Sequence, residues 1–297
     1  MSGKTAVLKF GGEVVADAPA LAGVLADVAS LVADGWRFVL CHGGGPQANA
    51  LQERLGLVPR KVAGRRVTDL ATLQVMKYVL AGELSVDVVA AGAAAGLRAV
   101  GVSGVSAGLV TARRRPPVVV AGAGAEPIDF GLVGDVVEIR GELLTHLWAG
   151  GYTPVVNTLG LDPVRGEVYN INADTVSSAI AAALKVDHLF LMTGVPGVLR
   201  DKDDPTTRIP RLTATAARAA IADGVIVGGM IPKVEEALGA LGGKLAFEGR
   251  AFEGRPVGAV HVLAATSGVL RAEAREPGSR GTVLVGARRP ASRAMIE

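Results

Sequence analysis

The sequence predicts an α/β protein, a three-layer αβα sandwich with a mainly parallel central sheet. Three observations carry that expectation. Two short apolar runs near the N-terminus, Thr5-Ala-Val-Leu-Lys9-Phe and Arg37-Phe-Val-Leu-Cys41, each end in a cluster of glycines and lead into a helical pattern. Strand-like and helix-like stretches then alternate along the whole chain. The composition, 49% hydrophobic with 40 glycines and 20% charged residues, suits a large core with tight turns between strands and helices.

The bulk numbers narrow the function classes. A chain of 297 residues makes one large α/β domain or two ordinary lobes. Its net charge of +3 is mild, and the basic residues are dispersed apart from Arg113-Arg114-Arg115 and a tail with Arg288, Arg289 and Arg293. With few aromatics and no long basic run, no nucleic-acid partner is expected, and the arginine triplet reads as a solvated loop that helps attract anions. The single cysteine, Cys41, excludes an internal disulfide and, at a strand end, reads as a small buried residue. The N-terminus lacks the regions of a signal peptide. The most apolar stretch, Leu84 to Leu97, is interrupted by Asp87 and glycines, so no membrane partner and a cytoplasmic location are expected.

The elements follow in order. The first strand runs from Thr5 into the turn at Gly11-Gly12, and Ala18 to Ala33 carries helical spacing of Leu21, Val24, Leu25, Val28 and Leu31. The strand Arg37 to Cys41 passes through His42-Gly43-Gly44-Gly45-Pro46 into a helix from Gln47 to Leu55, with proline suited to the first helical position. Lys61 to Val67 is a short strand or hairpin. Thr68 or Asp69 caps one long helix from about Leu70 towards Ala95, apolar enough to meet a second subunit as well as its own sheet. Short strands follow at Ala99–Val102, Gly108–Ala112, Pro117–Ala121 and Leu132–Ile139, then a helix from Gly141 to Trp148 and a strand from Thr153 to Asn157. Helices are expected at Thr175–Leu184, Thr213–Asp223 and Val234–Leu241, and strands at His188–Met192 and Ala259–Ala264, the last closing the core. Phe247-Glu-Gly-Arg250 recurs as Phe252-Glu-Gly-Arg255 and lengthens a hairpin or loop, and the chain from Ala287 is a loose polar tail.

Two adjacent parallel strands ending in glycines aim two helix N-termini at one crevice, the edge where open α/β sheets bind ligands. Glycine lets backbone N–H groups approach a bound anion, and the helix end adds partial positive charge. Lys9, at the carboxyl end of its strand, places an ammonium at the same spot. The chain contains neither the Gly-x-x-x-x-Gly-Lys-Ser/Thr loop nor the Gly-x-Gly-x-x-Gly turn of the commoner nucleotide folds.

Six segments taken together resemble the amino-acid kinase family, and within it the branch that phosphorylates N-acetylglutamate. They are Lys9-Phe-Gly-Gly12, His42-Gly-Gly-Gly45, Gly64-Arg-Arg-Val-Thr-Asp69, Phe130-Gly-Leu-Val-Gly134, Tyr169-Asn-Ile-Asn-Ala-Asp174 and Gly228-Gly-Met-Ile-Pro-Lys233, in the family's order and over nearly the whole chain. The resemblance implies an amino-acid kinase-like fold with residues 1–184 as the lobe for the amino acid and a homodimer contact, and 185–297 as the lobe for ATP. It implies transfer of phosphoryl from ATP, taken with Mg²⁺, to the side-chain carboxylate of N-acetylglutamate, as in arginine biosynthesis. No resident metal site is expected.

In that chemistry the nucleophile is already ionised at neutral pH, so no general base is required. In-line positioning and charge neutralisation are what remain. The resemblance puts Lys9 on the acceptor side of the moving phosphoryl, Lys233 on the nucleotide side, and Asp174 between them. It assigns Gly11, Gly12 and Gly43 to phosphate, and Gly44, Gly45, Arg66, Asn170 and Asn172 to the acceptor. Thr193, Gly197, Val227 and Gly229 are assigned to the nucleotide. Arg66 suits a bidentate carboxylate clamp, with Arg65 as rival; His42 is as readily structural as catalytic. One departure stands out: Gly194 replaces an aspartate usual before the Val-Pro-Gly turn. Only Met1 to Lys4 precede the first strand, so arginine feedback is expected to be weak or absent. Two rival readings remain: a kinase for an acceptor one carbon longer, such as an aminoadipate derivative, and a non-catalytic sensor of nucleotide or amino acid.

Overall fold

The strand Thr5–Phe10 sends Ala6, Leu8 and Phe10 into one core and Val7 into the other, all fully buried. That two-residue alternation, apolar on both sides, is what a strand covered by helices on both faces requires. The computed structural model describes residues 3–120, 124–247, 250–254 and 256–286. Among them, eight strands form the central sheet in the order Arg211–Thr213, Thr282–Val285, Ala259–Ala264, His188–Thr193, Thr5–Phe10, Arg37–His42, Thr153–Asn157, Ala99–Ser103. Every neighbouring pair is parallel except Thr282–Val285 against Ala259–Ala264.

Helices cover both faces. Ala18–Ala33 buries Leu21, Val24, Leu25, Val28 and Leu31 beside Leu8, Phe10 and Phe38, together with Val88 and Leu270 from two further helices. On the other face, Val176 and Ile180 of Ala173–Leu184, Leu144 of Glu142–Ala149, and Val234 of Met230–Gly242 pack on Val7, Val39, Leu189 and Leu191. Each fully buried Leu, Val or Phe contributes about 1.5–3 kcal/mol. The expected three-layer fold with a mostly parallel sheet is therefore what the chain forms. A second sheet, ordered Glu167–Asn170, Leu159–Asp162, Val110–Arg114, Gly134–Ile139, sits beside it.

Several elements differ from the sequence expectation. The long helix is divided: Leu70–Lys77 and Leu84–Ala94 flank a π-helical turn at Tyr78–Glu83. Widening of the helix there lets Val79, Leu80 and Leu84 crowd onto Gly44, an adjustment that periodicity does not encode. Asp69 caps its start, accepting from the Thr72 N–H at 2.8 Å. Pro117–Ala121 is not a strand as far as it is described; Val118 makes one isolated bridge to Ile128, and Ala121 lies outside the described residues. Ala259–Ala264 does not close the core, because the helix Val269–Arg275 and the strand Thr282–Val285 follow it. They are tied down by the buried Glu273, which accepts from the Gly278, Arg280 and Gly281 N–H groups at 2.7, 2.9 and 2.8 Å and pairs with His261 at 2.8 Å. The duplicated segment forms a hairpin, Lys244–Phe247 against Arg250–Glu253. Glu248, Gly249, Arg255 and the tail from Ala287 lie outside the described residues.

Candidate active site

Lys9 lies two residues after Val7 on the same face of the strand and so faces the helix Ala173–Leu184, whose first turn carries Asp174. The Lys9 ammonium lies 2.7 Å from one Asp174 carboxylate oxygen, and the Lys233 ammonium 3.1 Å from the other. Asn172 caps that helix, accepting from the Asp174 N–H at 2.8 Å, which fixes the carboxylate at the helix mouth. The Lys9 side chain is 8% exposed, Asp174 14% and Lys233 27%, a gradient from the sheet edge outward. Burial pushes the Asp174 carboxyl up, but the two ammonium groups outweigh it and hold it below the usual carboxylate range. Three residues far apart in sequence, from a strand and two helices, thus share one ion-paired cluster.

The glycine turns meet beside this cluster. The strands Thr5–Phe10 and Arg37–His42 pair in register up to Phe10 opposite His42, and the Gly43 N–H donates to the Phe10 carbonyl at 3.1 Å. A Cβ on Gly43 would sit 3.5 Å from Ala173 Cβ and 3.9 Å from Gly11 Cα, so both turns and the start of the Asp174 helix are in contact. Gly44 must lack a side chain, since a Cβ there would lie 2.5 Å from Leu84 and 2.9 Å from Leu80. The helix Gly45–Arg54 begins at this point with Pro46 in its first turn and presents its N-terminus.

A cavity of about 920 Å³ opens next to the turns, large enough for a small-molecule substrate with room to spare. Of the predicted acceptor residues, Gly44, Gly45, Arg66, Asn170 and Asn172 all line it, as does Gly43. Arg66 is steered by the helix Gly45–Arg54: its guanidinium donates to the Gly45 carbonyl at 3.0 Å and to the Gln52 and Asn49 side chains. Asn170 donates to the buried Thr68 hydroxyl at 3.2 Å. Arg65 lines the cavity as well, so spacing alone did not separate the two arginines.

Thr193, Gly197, Val227 and Gly229 are not among the residues lining this cavity. Thr193 ends the strand His188–Thr193 next to Lys9's strand, with its hydroxyl donating to the Val195 carbonyl at 2.8 Å. Gly197 packs against Thr282, where a Cβ would meet the hydroxyl at 2.6 Å. Val227 and Gly229 lie at the start of the Lys233 helix and are exposed.

His42 is fully buried, its Nδ1 3.4 Å from the Gly43 carbonyl, and burial pushes its pKa down to about 4. It is a neutral imidazole bracing the turn. Sequence reasoning missed Arg115, Arg218 and Glu236 at the cavity wall. Arg115, expected in a solvated triplet, is instead buried and paired with Asp135 at 2.8 Å. Glu236 was findable: it follows Lys233 by three residues on one helix, hence on the same face.

A profile of the amino acid kinase family matches residues 4–245. The acetylglutamate kinase of Sorangium cellulosum is 51% identical over 280 residues, covering 94% of this chain and 94% of its own. The acetylglutamate kinase of an Anaeromyxobacter species is 52% identical over 284 residues, covering 95% of this chain and 99% of its own. Among solved structures, N-acetylglutamate synthase from Neisseria gonorrhoeae, complexed with coenzyme A and N-acetyl-glutamate, aligns with a TM-score of 0.76 at 24% identity. That alignment covers 96% of this chain but 60% of the synthase, and it speaks for the fold alone.

Proposed function

The chain belongs to the amino acid kinase family, and we propose from that premise that it phosphorylates the side-chain carboxylate of N-acetylglutamate with MgATP, as in arginine biosynthesis. The observation that carries this reading is the Asp174 carboxylate held between Lys9 and Lys233 at 2.7 and 3.1 Å, beside two glycine turns and an arginine-lined cavity. The acceptor carboxylate attacks the γ-phosphorus in line; a P–O bond forms to it, the β–γ bridging bond breaks, and ADP leaves with the electron pair. The carboxylate needs no deprotonation, which agrees with a site whose nearest histidine is neutral and turned to backbone.

Lys9 neutralises charge on the acceptor side and Lys233 on the nucleotide side, while Asp174 keeps the two ammonium groups apart and aimed. The N–H groups of Gly11, Gly12 and Gly43 receive the phosphoryl oxygens. Gly44, Gly45, Arg66, Asn170 and Asn172 hold the acceptor, with magnesium arriving on the nucleotide's phosphates. Residues 1–184 act as the acceptor lobe and 185–297, with Thr193, Gly197, Val227 and Gly229, as the nucleotide lobe. The Asp174–Lys233 pair spans that division. A cytoplasmic homodimer completes the reading, supported by exposed Leu70, Tyr78 and Val86 on the divided helix, 79%, 56% and 64% accessible.

The test is hydroxylamine trapping of the acyl phosphate, with N-acetylglutamate, an aminoadipate derivative and free glutamate offered in turn. Hydroxamate from N-acetylglutamate that disappears in Lys9→Ala is the expected result. Preference for the longer acceptor would move the reading to its lysine-pathway counterpart. Nucleotide binding with no turnover on any acceptor would leave a sensor.

A further inference from the structure

Glu236 is a carboxyl for which the proposed reaction has no use so far. It lines the acceptor cavity one helical turn after Lys233, beside Thr175 of the Asp174 helix. Its Oε1 is buried and, among the described residues, has no hydrogen-bond partner. A buried carboxyl oxygen without a partner is costly unless something else occupies its hydrogen-bonding position when the site works. The cavity it faces is where the anionic acceptor goes.

We propose that Glu236 is an acceptor-binding residue, donating a hydrogen bond as the neutral acid to an anionic oxygen of the bound substrate. The inference rests on the phosphoryl-transfer reading above and adds a residue to its site. Its setting favours the neutral form: burial, and then the negative charge of Asp174, push the Glu236 carboxyl up to about 8. The Thr175 hydrogen bond and the Lys9 and Lys233 charges act in the opposite direction without cancelling this. Glu235 from its own helix, Arg218 from Ala214–Ala222, and Arg65, Arg66 and Arg115 across the cavity are the other charged groups on the wall.

Protonation decides what Glu236 does to an anion. As the acid it offers a short, strong O–H donor to a carboxylate or phosphoryl oxygen. As the carboxylate it offers no donor and repels the same oxygen. Acceptor binding is therefore linked to retention of one proton, and it weakens as pH rises through the region where Glu236 ionises in the free enzyme.

The experiment is a pH profile of kcat and kcat/KM for N-acetylglutamate at saturating MgATP, in wild type, Glu236→Gln and Glu236→Leu. In wild type, kcat/KM is level at neutral pH and falls about tenfold per unit above the ionisation, through KM, while kcat stays level. Glu236→Gln, whose amide is a weaker donor that does not ionise, loses about threefold at pH 7 and has no alkaline fall. Glu236→Leu raises KM about tenfold or more at every pH, as loss of a buried charge-assisted bond does. Calorimetric titration of N-acetylglutamate at pH 8.5 in two buffers of different ionisation enthalpy reads the proton directly: wild type takes up most of a proton, Glu236→Gln none. An alkaline fall that persists in Glu236→Gln, or equal proton uptake in both proteins, overturns the assignment. Absence of turnover in wild type on any acceptor removes the underlying reaction instead, and this inference with it.

Discussion

Asp174→Asn isolates the charge that holds the two lysines. The substitution keeps size and helix position but removes the negative charge 2.7 Å from Lys9 and 3.1 Å from Lys233, and turns one of the two accepting oxygens into an NH2 donor that faces an ammonium. Breaking one side of a buried ion pair costs about 3–5 kcal/mol, and the Lys9 side chain, 8% exposed, qualifies. Lys233 is 27% exposed, so solvent screens its share, which falls within about 1 kcal/mol. Two terms work the other way: the cost of burying Asp174's charge disappears, and Glu236, no longer opposed by Asp174, becomes easier to ionise and takes over part of the compensation. The balance is a loss of about 2–4 kcal/mol in stability, read as a shift in urea midpoint with unchanged slope. Turnover should fall about 10²–10³-fold, mostly in kcat, because both ammonium groups lose their aim.

The pH dependence of that difference is a sharper check. Asp174's folded pKa lies below its unfolded value, so its stabilisation is complete above the unfolded pKa near 4 and is lost as pH falls through the folded pKa. The gap between wild type and Asp174→Asn should shrink below about pH 4 as Asp174 protonates, and should change separately approaching pH 8, where Glu236 ionises in wild type but earlier in the variant. A stability change under about 0.5 kcal/mol with turnover within threefold of wild type would refute the idea that this carboxylate organises the lysine pair.

Two other outcomes follow from single positions. A side chain at Gly194 meets no atom within 4 Å, and its backbone is not left-handed. Gly194→Asp should fold with stability within about 0.5 kcal/mol of wild type and lower the KM for MgATP severalfold, measured by melting and steady-state kinetics. Burial is the main reason that His42 and His188 both lie near pKa 4, so they are neutral in the folded chain. Native protein therefore binds fewer protons than the unfolded chain between about pH 6.5 and 4, and stability should fall as pH drops through that window. Urea midpoints across it should show a shallower slope in His42→Gln, by an amount on the order of one proton; an unchanged slope would mean that His42 is not held neutral.

Much of this protein was legible before any coordinates. The alternating fold followed from apolar runs of strand length broken by glycine, and the parallel pairing of the two glycine-ended strands follows from the helical crossover between them, residues 11–36, which carries the chain back along the sheet so that the second strand starts from the same edge as the first. Lys9 was visible at a strand end beside a glycine pair, where local chemistry favours an anion, whereas the roles of Asp174 and Lys233 came from the family resemblance.

What the tertiary structure decided is what depends on partners distant in sequence. The Leu70–Ala94 helix is divided by a π-turn whose Val79 and Leu80, with Leu84 just after it, pack against Gly44 of another element, and no period in the helix itself reports it. The strand Thr282–Val285 is held by Glu273, which the sequence pattern did not single out and which accepts three backbone N–H groups and pairs with a histidine. Arg115 became a buried ion-pair partner, and Glu236 a cavity wall, for the same reason. A polar side chain's role is fixed by its dielectric surroundings and its partners, and for residues 20 or 60 positions apart only the fold supplies those.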